Sequence, residues 1–365
     1  MGGRSDEAPP RQRGGGSPGT PPGAAADHRV PGKPRLEEVA ALAKVSRATA
    51  SRVLNGSPNV SPEAKQAVDG AIAQLGYVPN RAARSLVTRR TETVGLVVSE
   101  PESRFFSDPF FASTVRGICA ALSRSDLQLV LMLAQTEHEH GKATRYVRHG
   151  HVDGVFLLSL HGDDPLPAQL RAMGTPTVLL GRPLADQQVP FVDADNRGGA
   201  RVATEYLLSR GRRKVATITG PMDMRAGVDR LEGYRDALHA AGVRPRASLV
   251  AHGRFTEDGG VRAMRALLRA HPDLDAVFVA SDPMAFGALQ ALEAAGRRVP
   301  DDVAVVGFDD VPFARHSTPP LTTVRQPIEE MTAAMCELLL RHIDGRGADD
   351  DHVITPTTLV ERASA

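Results

Sequence analysis

From Glu92 onward the chain alternates short apolar runs with longer segments of helical periodicity, and that alternation leaves few folds open to it. The apolar runs are Val94–Ser99, Leu127–Leu133, Gly154–Ser159, Thr177–Gly181, Val189–Val192, Val215–Thr219, Ala276–Ala280 and Val303–Gly307. Most are continuous, as expected of parallel strands covered on both faces. Helical runs lie between them, near residues 110–124, 137–149, 197–210, 228–241, 257–270, 283–295 and 327–344. The pattern predicts right-handed β-α-β units layered into an α/β fold with parallel sheets. One run recurs in kind: Val152-Asp-Gly-Val-Phe-Leu-Leu-Ser159 and Leu274-Asp-Ala-Val-Phe-Val-Ala-Ser281. Two similar lobes would produce this echo, although a match so short also arises by chance.

Residues 35–76 have another pattern. Leu36, Val39, Ala40 and Ala43 fall on one helical face. Lys44 and Val45 make a tight turn, and Ser46 suits the N-cap of a second helix. There Ala50, Val53 and Leu54 can turn inward, leaving Arg47, Ala48, Ser51, Arg52 and Asn55 outward. That basic, hydrogen-bonding face suits a DNA groove. Ser61-Pro62 caps a third helix with a buried stripe of Ala64, Val68, Ile72 and Leu75, which Gly76 ends. A bare helix-turn-helix pattern is weak evidence, because a small helical bundle with no DNA role would share it.

Charge separates the two regions. Residues 35–90 carry nine Lys/Arg against four Asp/Glu, residues 1–34 five against three, and the remaining body is left at −6 of a total of +1. A basic head on an acidic body suits a head that meets DNA and a body that need not. Residues 1–34 hold eight Gly and seven Pro and read as a disordered tail. Cys119 and Cys336 fall among alanines and leucines and read as small core residues. No apolar run approaches the ~18 residues of a membrane span, and the N-terminus lacks a signal peptide's apolar stretch. These features predict a soluble, cytoplasmic protein.

Several ordered words add specificity: Val39-Ala40, Val45-Ser46, Ser51-Arg52-Val53-Leu54-Asn55, Gly76-Tyr77-Val78-Pro79-Asn80 and Ala83-Arg84-Ser85-Leu86. In the body they are Asp108-Pro109-Phe110-Phe111, Asp193-Ala-Asp195-Asn196, Arg230-Leu-Glu-Gly-Tyr234, Val306-Gly-Phe-Asp-Asp310 and Pro320-Leu-Thr-Thr-Val-Arg-Gln-Pro327. Over residues 35–362 the chain resembles the lactose-repressor (LacI/GalR) family of bacterial transcription factors. The resemblance implies a helix-turn-helix head over 35–79, a hinge helix and linker over 80–91, and a core like periplasmic sugar-binding proteins. Its N-terminal lobe would be 92–194 plus 326–357, and its C-terminal lobe 195–325 plus 358–365, with crossings near Asp195, Arg325 and Thr357. It places DNA contacts at Ser46, Arg47, Ala48, Thr49, Ser51, Arg52, Asn55, Asn80, Ala83, Arg84 and Leu86. Leu86 would wedge into the minor groove and bend the duplex. Arg35 stands where the family has a capping threonine and Ala50 where it has a valine, so the first cap and the head packing are expected to be weaker.

Ligands of open α/β sheets sit outside the carboxyl ends of strands. Asp193 and Asp195, Asp282 and Asp309 each follow an apolar run, and Arg230 opens a helix after Val215–Thr219. For any one of them a strand-end turn or helix cap competes, and Asp193 stays closest to that reading. By resemblance Arg230, Asp282 and Asp309 line an effector cleft, with Asp195 at the lobe boundary and Phe110, Phe111 and Phe255 as apolar walls. Carboxylates, an arginine and ring faces suit a polyhydroxylated ligand.

The expected function is a homodimeric transcriptional regulator, a repressor of sugar-utilisation genes. A sugar-type effector would release it from a pseudo-palindromic operator in double-stranded DNA. A purine or other effector, a corepressor, or a transporter's solute-binding protein are the rivals. Paired carboxylates alone do not make a glycosidase, and no Gly-x-Ser-x-Gly elbow or P-loop is present, so no enzyme is expected. His138, His140, His149 and His151 surround one helix, but positions two apart point to different faces, so neither metal nor cofactor is expected.

Overall fold

The computed structural model describes residues 34–54, 57, 59–78, 90–123, 125–184, 188–348 and 350–365. The tail up to residue 33, Asn55, and the hinge positions Asn80, Ala83, Arg84 and Leu86 lie outside the described residues. The chain forms two compact units, 1–83 and 84–365.

The first unit contains the helices Leu36–Leu42, Arg47–Leu54 and Pro62–Leu75. Val39, Ala40, Ala50, Val68 and Ala71 form its core, flanked by Leu36, Ala43, Val45, Val53, Ile72, Leu75 and Tyr77. Its caps follow the side chains. Ser46 Oγ accepts from Thr49 N at 3.0 Å and Ser61 Oγ from Ala64 N at 3.2 Å. Arg35 caps nothing with its side chain, so the first helix starts on the weaker footing expected. Lys44 (φ 53°) turns the chain between the first two helices, and Gly76 (φ 60°) ends the third in the left-handed region.

In the second unit, β1 (Thr93–Val98), β2 (Gln128–Leu133), β3 (Gly154–Leu158), β4 (Thr177–Leu180), β5 (Phe191–Ala194) and β11 (His352–Thr355) form one parallel sheet. Its order is β11-β5-β4-β3-β1-β2. The other sheet contains β6 (Val215–Thr219), β7 (Val250–His252), β8 (Ala276–Val279), β9 (Ala304–Asp309), β10 (Thr322–Arg325) and β12 (Thr358–Val360). Its order is β12-β10-β9-β8-β6-β7, with only β12 antiparallel to its neighbour. The two sheets are wound alike. The repeated motif falls on β3 and β8, each flanking the first strand of its own sheet on the side away from the second.

Helices cover both faces of each sheet, which gives the body four apolar clusters. The unbroken apolar strands are therefore explained: β3, β4, β6 and β8 are buried at every position. The chain passes between sheets three times, after β5, after β10 and between β11 and β12. One expectation is corrected. Cys336 is buried, but Cys119 is exposed. The helix Pro109–Leu122 turns Phe111, Thr114, Ile118 and Leu122 inward, and Cys119 lies one residue off that stripe.

Candidate functional site

In the head, Ser46 and Thr49 bond through their hydroxyls at 2.9 Å, tying the start of the second helix. Arg47, Ala48 and Arg52 are exposed, whereas Thr49 and Ser51 are half-buried. Arg47 Nε pairs with Glu37 Oε1 at 2.8 Å on the surface, a contact that water and salt readily loosen. The helix has no acidic residue in its first turn, so its positive end and both arginines present one sign of charge. Such a face attracts phosphate and offers donors to base edges.

In the body, the carboxyl ends of strands from both sheets meet around one cavity. It holds about 760 Å³ of space free of atoms, open solvent at its mouth included. Leu158, Leu180 and Asp193 reach it from one lobe, and Ser281 and Asp309 from strand ends of the other. Arg230 is its most constrained member. It lies in the second turn of the helix Arg225–Ala240, which starts three residues earlier than the sequence pattern suggested. One turn on, Gly233 lets that helix approach the helix Asn196–Ser209 closely, since a Cβ there would stand 2.1 Å from Arg197 O. The approach brings Arg230 Nε to Asn196 Oδ1 at 2.8 Å. Arg230 Nη1 donates to Ala280 O at 2.6 Å and to Asp309 Oδ1 at 3.3 Å. The guanidinium also lies 3.7 Å from the Phe308 ring centre, over its face.

The rest is a paired network. Burial lowers the Arg230 pKa, and Asp309 and Asp193 oppose that shift without cancelling it. Burial pushes the Asp309 carboxyl up to about 6, against the pull of Arg230. Its Oδ1 also accepts from Gln326 Nε2 at 2.7 Å. Burial raises Asp193 and Asp108 as well, against Arg182 and the Phe110 backbone N–H respectively. Asp193 accepts from Arg182 Nε and Asn196 Nδ2, both at 2.9 Å. Arg182 reaches across the lobes to Asp229, which Arg225 also approaches at 3.0 Å. Arg104 pairs with Glu100. Among the described residues every cation lining the cavity thus has a carboxylate already, and a charged ligand would have to break a pair. A neutral, hydroxyl-rich ligand can use the remaining lone pairs and N–H groups.

Backbone strain collects at the same place. Ser159, Phe255 and Asp309, with φ of 59°, 59° and 113°, all line the cavity. Non-glycine residues in such conformations cost about 1–3 kcal/mol each and cluster at ligand sites.

Of the effector positions expected from sequence, Phe110, Arg230, Phe255 and Asp309 line the cavity. Three do not. Phe111 is fully buried beneath it. Asp195 is an exposed N-cap, accepting from Gly198 N at 2.8 Å. Asp282 has no exposed surface and accepts from Thr323 Oγ1 at 2.6 Å and Val311 N at 2.9 Å, while burial and Asp309 push its carboxyl well above the usual range. Its work is to hold β10 and the chain after β9. Sequence reasoning passed over Asn196, Asp108, Arg182, Arg104, Ser281 and Gln326. Arg182 directly follows the run Thr177–Gly181, so the strand-end rule could have found it. The histidine cluster has local partners: His140 Nε2 lies 2.6 Å from Ala134 O, and the His149 and His151 rings stand 6.1 Å apart.

Two bonds at the cleft mouth tie the lobes through His161. Its Nε2 meets Glu100 Oε1 at 3.1 Å and its Nδ1 meets Asp223 Oδ2 of the other lobe at 3.0 Å. The Glu100 bond, with help from Asp223, holds its pKa above the ordinary 6.5. A raised histidine stabilises the fold fully below its unfolded pKa, and that contribution is lost as pH rises through the folded value. Thermal unfolding of wild type and His161→Gln from about pH 5.5 to about pH 8.5 should show wild type ahead at the acid end and the gap closing upward. A gap that stays constant would remove the imidazolium from the tie.

Known proteins resemble this chain in sequence and fold. Residues 35–80 match the bacterial regulatory proteins of the lacI family, and residues 204–365 match the periplasmic binding protein-like domain. The HTH-type transcriptional regulator CelR of Thermobifida fusca is 53% identical, over 91% of this chain and 98% of that protein. A solved transcriptional regulator CelR–cellobiose complex is 51% identical, with a TM-score of 0.74 over 91% of this chain and 100% of that one. The lac repressor dimer bound to operator has a TM-score of 0.78 at 26% identity, over 90% of this chain and 98% of that one. No helix among the described residues is long and apolar enough to cross a membrane. With its helix-turn-helix head and two-sheet body, the chain belongs to the lacI family of bacterial regulatory proteins and is a DNA-binding transcriptional regulator.

Proposed function

We propose that this protein is a cytoplasmic, homodimeric repressor of sugar-utilisation genes, released from a pseudo-palindromic operator by a neutral sugar of the cellobiose kind. The carrying observation is the cleft's internal charge pairing, Arg230 with Asp309 and Arg182 with Asp193 and Asp229, beside the Phe110 and Phe255 rings. A hydroxylated ring ligand fits that chemistry better than a charged metabolite does. The complex of CelR with cellobiose, at 51% identity, supports the same ligand class. Lobes of 92–194 with 326–357 and of 195–325 with 358–365 would close on it, and a shift of the lobes would pass to the heads a coupling of about 1–3 kcal/mol. A twofold dimer reads a twofold site, with Ser46, Arg47, Ala48, Thr49, Ser51 and Arg52 toward the groove and Leu86 at its centre.

Calorimetry against cellobiose, ribose, galactose and a purine, paired with operator gel shifts, tests the reading. Cellobiose is expected to bind and to release the operator. Asp309→Ala should keep operator affinity and lose release, because ligand hydroxyls and Arg230 are left unpaired in the cleft. Release by the purine alone, or an Asp309→Ala protein that responds at the wild-type concentration, would overturn it.

A further inference from the structure

We propose that Arg104 is a specificity-determining gate that limits the length of saccharide the cleft accepts; this rests on the sugar reading above. The cleft has two compartments. The inner one is the cavity around Arg230 and Asp309. The outer one is a wider groove between the lobes, lined by groups such as Gln135, Asp164 and Gln169 on one side and Asp223, His252 and Arg254 on the other. Arg104, on the short helix Glu102–Ser107, is the residue the two linings share among the described residues.

Its side chain is held on three sides. The guanidinium carbon lies 5.5 Å from the Phe111 ring centre and 5.2 Å from that of Phe255, which comes from the opposite lobe. Glu100 pairs with Nη1, and its own Oε1 also meets His161 Nε2 at 3.1 Å. Only 11% of the Arg104 side chain is exposed. A saccharide longer than the inner chamber must pass this point. It would have to pull the guanidinium from two ring faces and leave the buried Glu100 carboxylate with His161 alone, both unfavourable. Beyond the gate the groove offers carboxylates, carboxamides and imidazoles, the groups that bind hydroxyls. The chemistry for further sugar units is therefore present, and the passage to it is blocked by one side chain.

Full-length wild type, Arg104→Ala and Arg104→Met are titrated calorimetrically with cellobiose, cellotriose and cellotetraose. Wild type should favour cellobiose over cellotetraose by roughly tenfold or more, the scale of discrimination a shaped pocket supplies. Arg104→Ala should shrink or reverse that ratio by roughly tenfold. Arg104→Met loses the ion pair but keeps a long side chain between the rings, and should keep the wild-type order. This control separates blockage from the lost Glu100 partner. Identical length profiles in wild type and Arg104→Ala overturn the gate, as does an Arg104→Met protein that admits the longer sugars as Arg104→Ala does. Wild type binding all three sugars equally overturns the gate alone. Wild type binding none overturns the sugar reading and the gate with it.

Discussion

Arg230→Ala is expected to destabilise the body by about 3–5 kcal/mol and to abolish effector-dependent release from DNA. Breaking a buried ion pair from one side costs more than the pair is worth, because the partner charge stays behind without water. Here Asp309 would keep only Gln326 as a described hydrogen-bond partner, and its carboxyl already stands at about 6. Asn196 Oδ1 and Ala280 O would lose a donor each, and the Phe308 face its cation. Asn196 also holds Asp193, so the damage should cross to the other lobe. Urea unfolding measures the loss. Arg230→Lys should fall between wild type and Arg230→Ala, because a lysine keeps the charge but cannot span Asn196, Ala280 and Asp309 at once. A loss below about 1 kcal/mol for Arg230→Ala would mean that Asp309 is solvated or paired elsewhere.

Periodicity carries the long elements because a strand covered on both faces must be apolar throughout, and a two-sided sheet needs helices between strands. β1, β3, β6, β8 and most of the helices from 109 to 343 were legible on those grounds, but the short helix Leu166–Ala172 was not. The edge strands β7, β11 and β12 and the interior strand β10 were not. β7 has three residues, β11 alternates toward solvent, and β10 opens with two threonines. Their membership comes from pairing, which leaves no apolar run. β5 was read two residues early: the chain pairs over Phe191–Ala194, and the buried Asp193 belongs to the strand because Arg182 neutralises it.

The site divides in the same way. The strand-end rule finds Asp193, Asp195, Asp282 and Asp309, yet of these only Asp309 and Asp193, the one that read most like a plain turn, line the cavity. Asp309 is turned there by its φ of 113°, whereas Asp282 is drawn to Thr323 and Val311. Those are tertiary facts about which neighbour reaches a carboxylate first, and local sequence does not encode them. Arg104 gave even less signal, since its role comes from rings 111 and 255, on different lobes. The head was the most readable part, because each cap and turn there is set within three or four residues.

Arg52→Ala is expected to cost ~1–3 kcal/mol at one base pair of each half-site and to relax preference there, while other positions keep theirs. Arg52 is exposed on the last turn of the helix Arg47–Leu54, whose Ala50 is fixed in the core. That anchor sets the helix rotation, so the outward residues keep a fixed direction and can be aimed at base edges. A bidentate arginine discriminates guanine from the other bases by this amount, whereas a phosphate contact weakens all sequences alike. The comparison is Arg84→Ala, at a position where the family resemblance implies a backbone contact. It should lower affinity uniformly and reduce the salt dependence by about one ion. Operator selection from a randomised half-site, run at two salt concentrations on both variants, separates the two outcomes. An unchanged preference for Arg52→Ala would move base readout to Arg47 and Ala48, at the start of the same helix.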